Sequence, residues 1–174
     1  MIHADHVRLL HDGVPAKGGV WADLGSGGGA FTLALADLLG PGGEIYSIDK
    51  DGNALREQEQ LMRQRFPSMK VQYRVADFTR QQQLPPLDGI LMANALHFHR
   101  DKERVVQLVK EYLKPDGRLL LVEYNVDQGN IWVPHPLSYA TWAALASRCG
   151  FAHTRQLATQ PSRFLKEMFS AQSM

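Results

Sequence analysis

The chain has 174 residues, length enough for one domain with a sizeable core. Its 44% hydrophobic and 21% charged residues exclude a disordered chain, and a net charge of +1 gives no global pull toward nucleic acid. One cysteine, Cys149, excludes an internal disulfide framework or a cysteine-built zinc centre; no metal site is expected.

In chain order, residues 3–11 predict a short helix within an N-terminal segment, 1–19, that breaks at Gly13 and Pro15. His3, His6 and His11 read as its solvated face. The stretch VWADLGSGGGAF, 20–31, is the organising one. A short apolar run reaches Asp23, a glycine loop follows, and helical spacing then starts with Phe31, Ala34, Leu35, Leu38 and Leu39. A backbone that turns sharply, meets a ligand and packs a helix on a strand needs positions without Cβ. The new helix also aims unpaired N–H groups into the loop, so this is a nucleotide-type cofactor cradle.

The helix ends at Gly40, and PGG forms a turn. Residues 44–48 predict a second strand closed by Asp49, and 52–65 a helix with Ala54, Leu55, Leu61 and Met62 on one face. KVQYRV, 70–75, alternates as a third strand ending at Ala76 and Asp77, and 79–87 is loop. DGILMAN, 88–94, has the continuous apolar character of a strand inside a parallel sheet. An amphipathic helix over 101–113 is stopped by KPDG, and RLLLVEY, 118–124, is the fifth strand. A loop with Trp132 and His135 leads to a helix over 138–149, with Cys149 packed at its end as an inert thiol. Residues 151–158 and 163–171 predict a β-hairpin joined through QPS. Strand and helix alternate through five units, which implies an α/β, doubly wound parallel sheet with helices on both faces. Ligands then bind at the C-terminal edge of the strands. Residues 1–174 read as a single domain without repeats.

The glycine loop alone leaves the cofactor open, because Gly25, Gly27 and Ala30 also satisfy a dinucleotide pattern with Asp49 near its ribose position. Three features weigh against a dinucleotide. Asp23 stands two residues before the first glycine, where it suits a cationic methionyl arm and repels a pyrophosphate. ADF, 76–78, offers an acid and an aromatic ring to an adenine. The chain closes on a hairpin instead of a second mononucleotide half.

On these motifs the chain resembles the class I S-adenosylmethionine-dependent methyltransferases. VWADLGSGGGAF is similar to the family's first motif, IYSIDKD to its second, VADF to its third and DGILMANALHF to its fourth; KPDGRLLLVEY resembles the approach to its fifth. The resemblance implies a mostly parallel seven-stranded sheet in the order 3-2-1-4-5-7-6 with one antiparallel strand. It implies S-adenosyl-L-methionine as the cofactor, with Asp23 and the glycines, Gly25, Gly27 and Gly29 among them, holding its methionyl part. Asp49 would meet the ribose hydroxyls and Asp77 with Phe78 the adenine, and Ser26, Phe31, Lys50 and Asn94 complete the cofactor-binding set. The family often carries a longer N-terminal cap than the residues ahead of this first strand.

Methyl transfer needs an acceptor lone pair aligned behind the methyl group and water removed. Catalytic candidates lie after the fourth and fifth strands: His97 as a general base, then Glu123 and His135. Each has a structural alternative, as a cap or as a carboxylate holding backbone N–H groups. His99, Tyr124, Asn125 and Trp132 stand in the same region. Asn94 opens NALHF, without the N/D-P-P-aromatic form of base or protein-glutamine methyltransferases. The expected activity is therefore methyl transfer to a small-molecule acceptor, releasing S-adenosylhomocysteine. The alternatives are an RNA or protein methyltransferase, an inactive cofactor-binding partner subunit and, last, a dehydrogenase. No apolar run approaches the ~18 residues of a membrane span, and residues 1–19 lack a signal-peptide pattern. A cytoplasmic protein is expected, and the short cap is compatible with a homodimer.

Overall fold

In the computed structural model all residues except 16 and 163 are described. The elements are α1 (His3–Leu10), β1 (Gly19–Leu24), α2 (Ala30–Leu39), β2 (Gly43–Asp49), α3 (Gly52–Arg65), β3 (Lys70–Val75) and β4 (Leu87–Ala93), followed by α4 (Lys102–Lys110), β5 (Leu113–Tyr124), α5 (Tyr139–Arg148), β6 (Thr154–Pro161) and β7 (Glu167–Ser173). They form one seven-stranded sheet in the order β3-β2-β1-β4-β5-β7-β6. The first five strands pair in parallel, and β7 runs antiparallel between β5 and β6. This is the order and the single reversed strand that the resemblance implies.

Side chains alternate across β5 with the two-residue period of a strand. Leu119 and Leu121 pack with Val106 and Val109 of α4 and Trp142 of α5. Leu120 and Val122 face the other layer, with Leu9 and Leu10 of α1 and the apolar stripe of α2. Both faces of the central strands are thereby covered, which is why β4 and β5 read as unbroken apolar runs.

Several expectations shift. The helix expected over 101–113 stops at Lys110, because the Tyr112 carbonyl accepts from Leu87 N–H at 2.8 Å and draws the chain into the sheet. Strand β5 therefore begins at Leu113, opposite Leu87, and KPDG forms an irregularity within it where the register shifts. On α3, Leu61 is exposed and Gln58 takes the buried position between Leu55 and Met62. The hairpin strands lie about three residues further along the chain than expected, since β7 pairs as far as Ser173 with both Leu119 and Thr154. His3 and His6 are not a solvated face. His3 lies 3.0 Å from Asp37, and His6 packs edge-on against Phe31 at 4.6 Å, because α1 lies on α2; only His11 is exposed. Cys149 is buried at the end of α5, and burial pushes its thiol pKa up.

Candidate active site

The C-terminal tips of β1, β2 and β3 lie side by side, and each bears or adjoins an aspartate: Asp23, Asp49 and Asp77. Between β1 and α2 the chain bends back over β2, where Gly25 N–H and Ser26 N–H both donate to the Ile48 carbonyl. Gly25 sits at φ +78, and a Cβ there would come within 2.6 Å of Ala95 Cβ, so no side chain fits. Asp49 sets the loop from the adjacent strand: Oδ2 accepts from Gly27 N–H at 2.8 Å, and Oδ1 from Asp51 N–H at 2.8 Å.

Two clefts flank this loop. The smaller, about 230 Å³, is lined by Asp23, Ser26, Gly28, Gly29, Phe31 and Ala93 among others. The larger, about 250 Å³, is lined by Asp49, Lys50, Asp77, Phe78, Asn94, Phe98 and His99, and Gly25 belongs to both. Asp23 is buried, and the Thr32 hydroxyl donates to its Oδ2 at 2.5 Å. Burial pushes its pKa up to about 7; the Thr32 bond opposes the rise, and the charge of Asp49 adds to it. Asp77 is exposed, and Thr79 holds its pKa below the usual carboxylate value through hydroxyl and backbone hydrogen bonds to Oδ1. The Phe78 ring is buried, with His99 edge-on at 5.2 Å. His99 lines the same cleft, and burial lowers its pKa.

Asn94 leaves β4 in the left-handed region, at φ 53, and its Oδ1 is buried without a hydrogen-bond partner among the described residues. A strained residue with an orphaned acceptor at a cleft is the usual mark of a group arranged for a ligand. With the acidic tips, the cleft of about 250 Å³ beside Phe78 and the cradle in front of the glycines, the residues fit an adenosyl cofactor with a cationic arm.

On the β4–β5 side, His97 is 3% exposed and Glu123 is 0% exposed. Glu123 Oε1 accepts from Leu96 N–H at 3.0 Å and His97 N–H at 3.1 Å, while Oε2 lies 2.8 Å from His97 Nδ1. With Nδ1–H donated to the carboxylate, Nε2 carries the imidazole lone pair. Aromatic rings flank the histidine: Phe98 at 4.2 Å and Tyr124 at 6.0 Å, with Phe164 a further 5.8 Å from Tyr124. His135 adjoins His97 through its backbone, whose N–H donates to the His97 carbonyl at 3.0 Å, but its side chain is exposed; neither histidine is among the residues lining the two clefts. Trp132 is 70% exposed and Tyr139 packs on Phe169, so neither lines these clefts. Asn125 ties the loop instead, accepting from Tyr139 N–H and donating to Glu167. Sequence reasoning missed Thr32 and Phe98; the first sits in the first turn of α2, and the second stands between His97 and His99, the more obvious candidates.

The family described as methyltransferase domain matches residues 16–169. A ubiquinone/menaquinone biosynthesis C-methyltransferase, UbiE, of Pasteurella multocida (strain Pm70) is 30% identical over 113 residues, 63% of this chain and 41% of that protein. The matched region is thus less than half the length of that relative. Among solved structures, a SAM dependent methyltransferase from Aquifex aeolicus superposes with a TM-score of 0.75 at 19% identity, covering 98% of this chain and 89% of that one. The N-terminal domain of EvdMO1 with SAH bound superposes at 0.74 and 20% identity, covering 99% and 81%. The acidic strand tips, the side-chain-free bend and the strand order therefore have one common explanation: the chain belongs to the class I S-adenosylmethionine-dependent methyltransferases.

Proposed function

We propose that this domain transfers a methyl group to a small-molecule acceptor, with His97 as the general base and Glu123 as its holder. The observation that carries the reading is the buried His97–Glu123 pair one strand away from the cofactor clefts. S-adenosylmethionine, when bound, supplies an electrophilic sulfonium methyl. Asp23 and the glycine loop would hold its methionyl arm, Asp49 its ribose, and Asp77 with Phe78 its adenine. Lys50 and Asn94 complete the wall. Glu123 keeps the imidazole in one tautomer, and Nε2 takes the acceptor's proton as the new bond forms.

Two observations favour a small, ring-bearing acceptor over RNA. Phe98, Tyr124 and Phe164 offer ring faces beside His97. Residues 126–136, the loop over this side, contain no lysine or arginine and one carboxylate, Asp127, so they offer no phosphate-binding charge. The UbiE relative, named for quinone biosynthesis, points the same way. The experiment is to incubate the protein with methyl-labelled cofactor and a panel of phenols, quinols and small RNAs. Label in a ring-bearing small molecule supports the reading, and label in RNA alone overturns it. Among the described residues no helix is long and apolar enough to cross a membrane.

A further inference from the structure

One position on α3 breaks the apolar rule of a core-facing stripe. Leu55, Gln58 and Met62 are its buried residues, and Gln58 is 0% exposed. A buried glutamine carries a desolvation cost unless both ends of its amide are paired. Only one end is. The Ser47 hydroxyl donates to Gln58 Oε1 at 3.0 Å, whereas Nε2 has no partner among the described residues. Ser47 follows Ile45 on the α3-facing side of β2 and is itself fully buried. Its hydroxyl lies 2.7 Å from that of Ser26 in the glycine loop. The direct distance from Ser26 to Gln58 Oε1, 3.4 Å, is long for a hydroxyl bond. With the proton of Ser47 committed to Gln58, Ser26 donates to Ser47, and a polar connection runs from the loop through β2 to α3. The same glutamine fills the space beneath Gly29, where a Cβ would run into Gln58 Cγ.

We propose that Gln58 is a positioning residue for the cofactor loop: it anchors Ser26 by way of Ser47 and supports Gly29 from below. For packing alone an apolar residue would serve better, as Leu55 and Met62 do, because the unpaired Nε2 costs stability. What offsets that cost is a loop held in the shape that receives the cofactor. None of these three side chains is placed at the reacting atoms, so they govern how tightly the cofactor is held, not how fast the methyl moves. The inference rests on the reading of the clefts as the S-adenosylmethionine site.

Gln58→Met is the test, since it keeps the length of the side chain and removes both the acceptor and the unpaired donor. S-adenosylhomocysteine binding measured by calorimetry should weaken about tenfold, the scale of one lost hydrogen bond. KM for S-adenosylmethionine should rise with kcat unchanged, and the thermal midpoint of the cofactor-free protein should not fall. Amide hydrogen exchange across residues 25–29 of the cofactor-free protein should accelerate. Ser26→Ala should weaken binding similarly, and the double variant should be no worse than either single one. Unchanged exchange and affinity in Gln58→Met, multiplying effects of the two substitutions, or a fall in kcat alone would each overturn the proposal. Should Gln58→Met not fold, Ser47→Ala cuts the same connection at its middle and carries the same expectations for affinity, kcat and loop exchange. Its thermal midpoint should fall, because Gln58 Oε1 then loses its donor. If the wild-type protein binds no S-adenosylhomocysteine, the cofactor reading fails, and loop exchange still decides the role of Gln58.

Discussion

Along the C-terminal edge of the sheet, the β3–β2–β1 side and the β4–β5 side are built of different materials. The first combines backbone N–H groups, positions without side chains and three carboxylates, each within a few residues of a strand end. The second is made of side chains drawn together from distant stretches: His97 from the turn after β4, Glu123 from β5 and Phe164 from the approach to β7. On the proposed function, the cofactor would be met by the half whose residues lie within short stretches of chain, and the acceptor by the half whose residues come from loops.

The contrast is most sharply tested at Glu123. Glu123→Ala would leave two buried N–H groups and a buried histidine without their acceptor, and should cost about 3–5 kcal/mol of folding stability in denaturant unfolding. A loss below about 1 kcal/mol would mean that water replaces the carboxylate and that this half is not dry. His97→Ala should lower turnover by about a hundredfold or more while S-adenosylhomocysteine affinity stays unchanged by calorimetry. Normal turnover would remove His97 from the reaction. Asp49→Ala acts on the other half. It should weaken cofactor binding by about 1–3 kcal/mol through lost charge-assisted hydrogen bonds, including the one that holds Gly27.

Asp23 makes the cofactor half pH-sensitive. Its folded-state pKa of about 7 lies above the ordinary 3.8, so the folded chain holds this proton more tightly than the unfolded chain. The stability that results is complete below the ordinary value and is lost as pH rises through about 7. Asp23→Asn should flatten unfolding free energy against pH across that window, and an unchanged slope would place the titration elsewhere. The smallest effect is expected at His135. His135→Ala should leave stability within about 0.5 kcal/mol and turnover unaltered, because its ring is exposed to solvent and not held by a buried carboxylate as that of His97 is.

How much of this was legible beforehand follows the same divide. Asp23, the glycines and Asp49 were readable because a strand, a tight turn and a helix start impose their residue types within a dozen positions. The His97–Glu123 pair was not readable as a pair. The two residues stand 26 positions apart, and only the parallel pairing of β4 with β5 brings them together. His135 and Trp132 looked like neighbours of the site by order along the chain, yet their loop presents them outward. Gln58 carried a signal that went unused: a polar residue in register with Leu55 and Met62 on a core-facing stripe.

Local chemistry along the chain thus determined the element order, the parallel core and the kind of cofactor, since periodicity, turns and strand-end carboxylates act over short separations. Only the tertiary structure decided which histidine is buried against a carboxylate, which helices cover which face and which side chain supports the loop. Those depend on register between strands far apart in sequence, and one shift in pairing would send each such side chain to the opposite face.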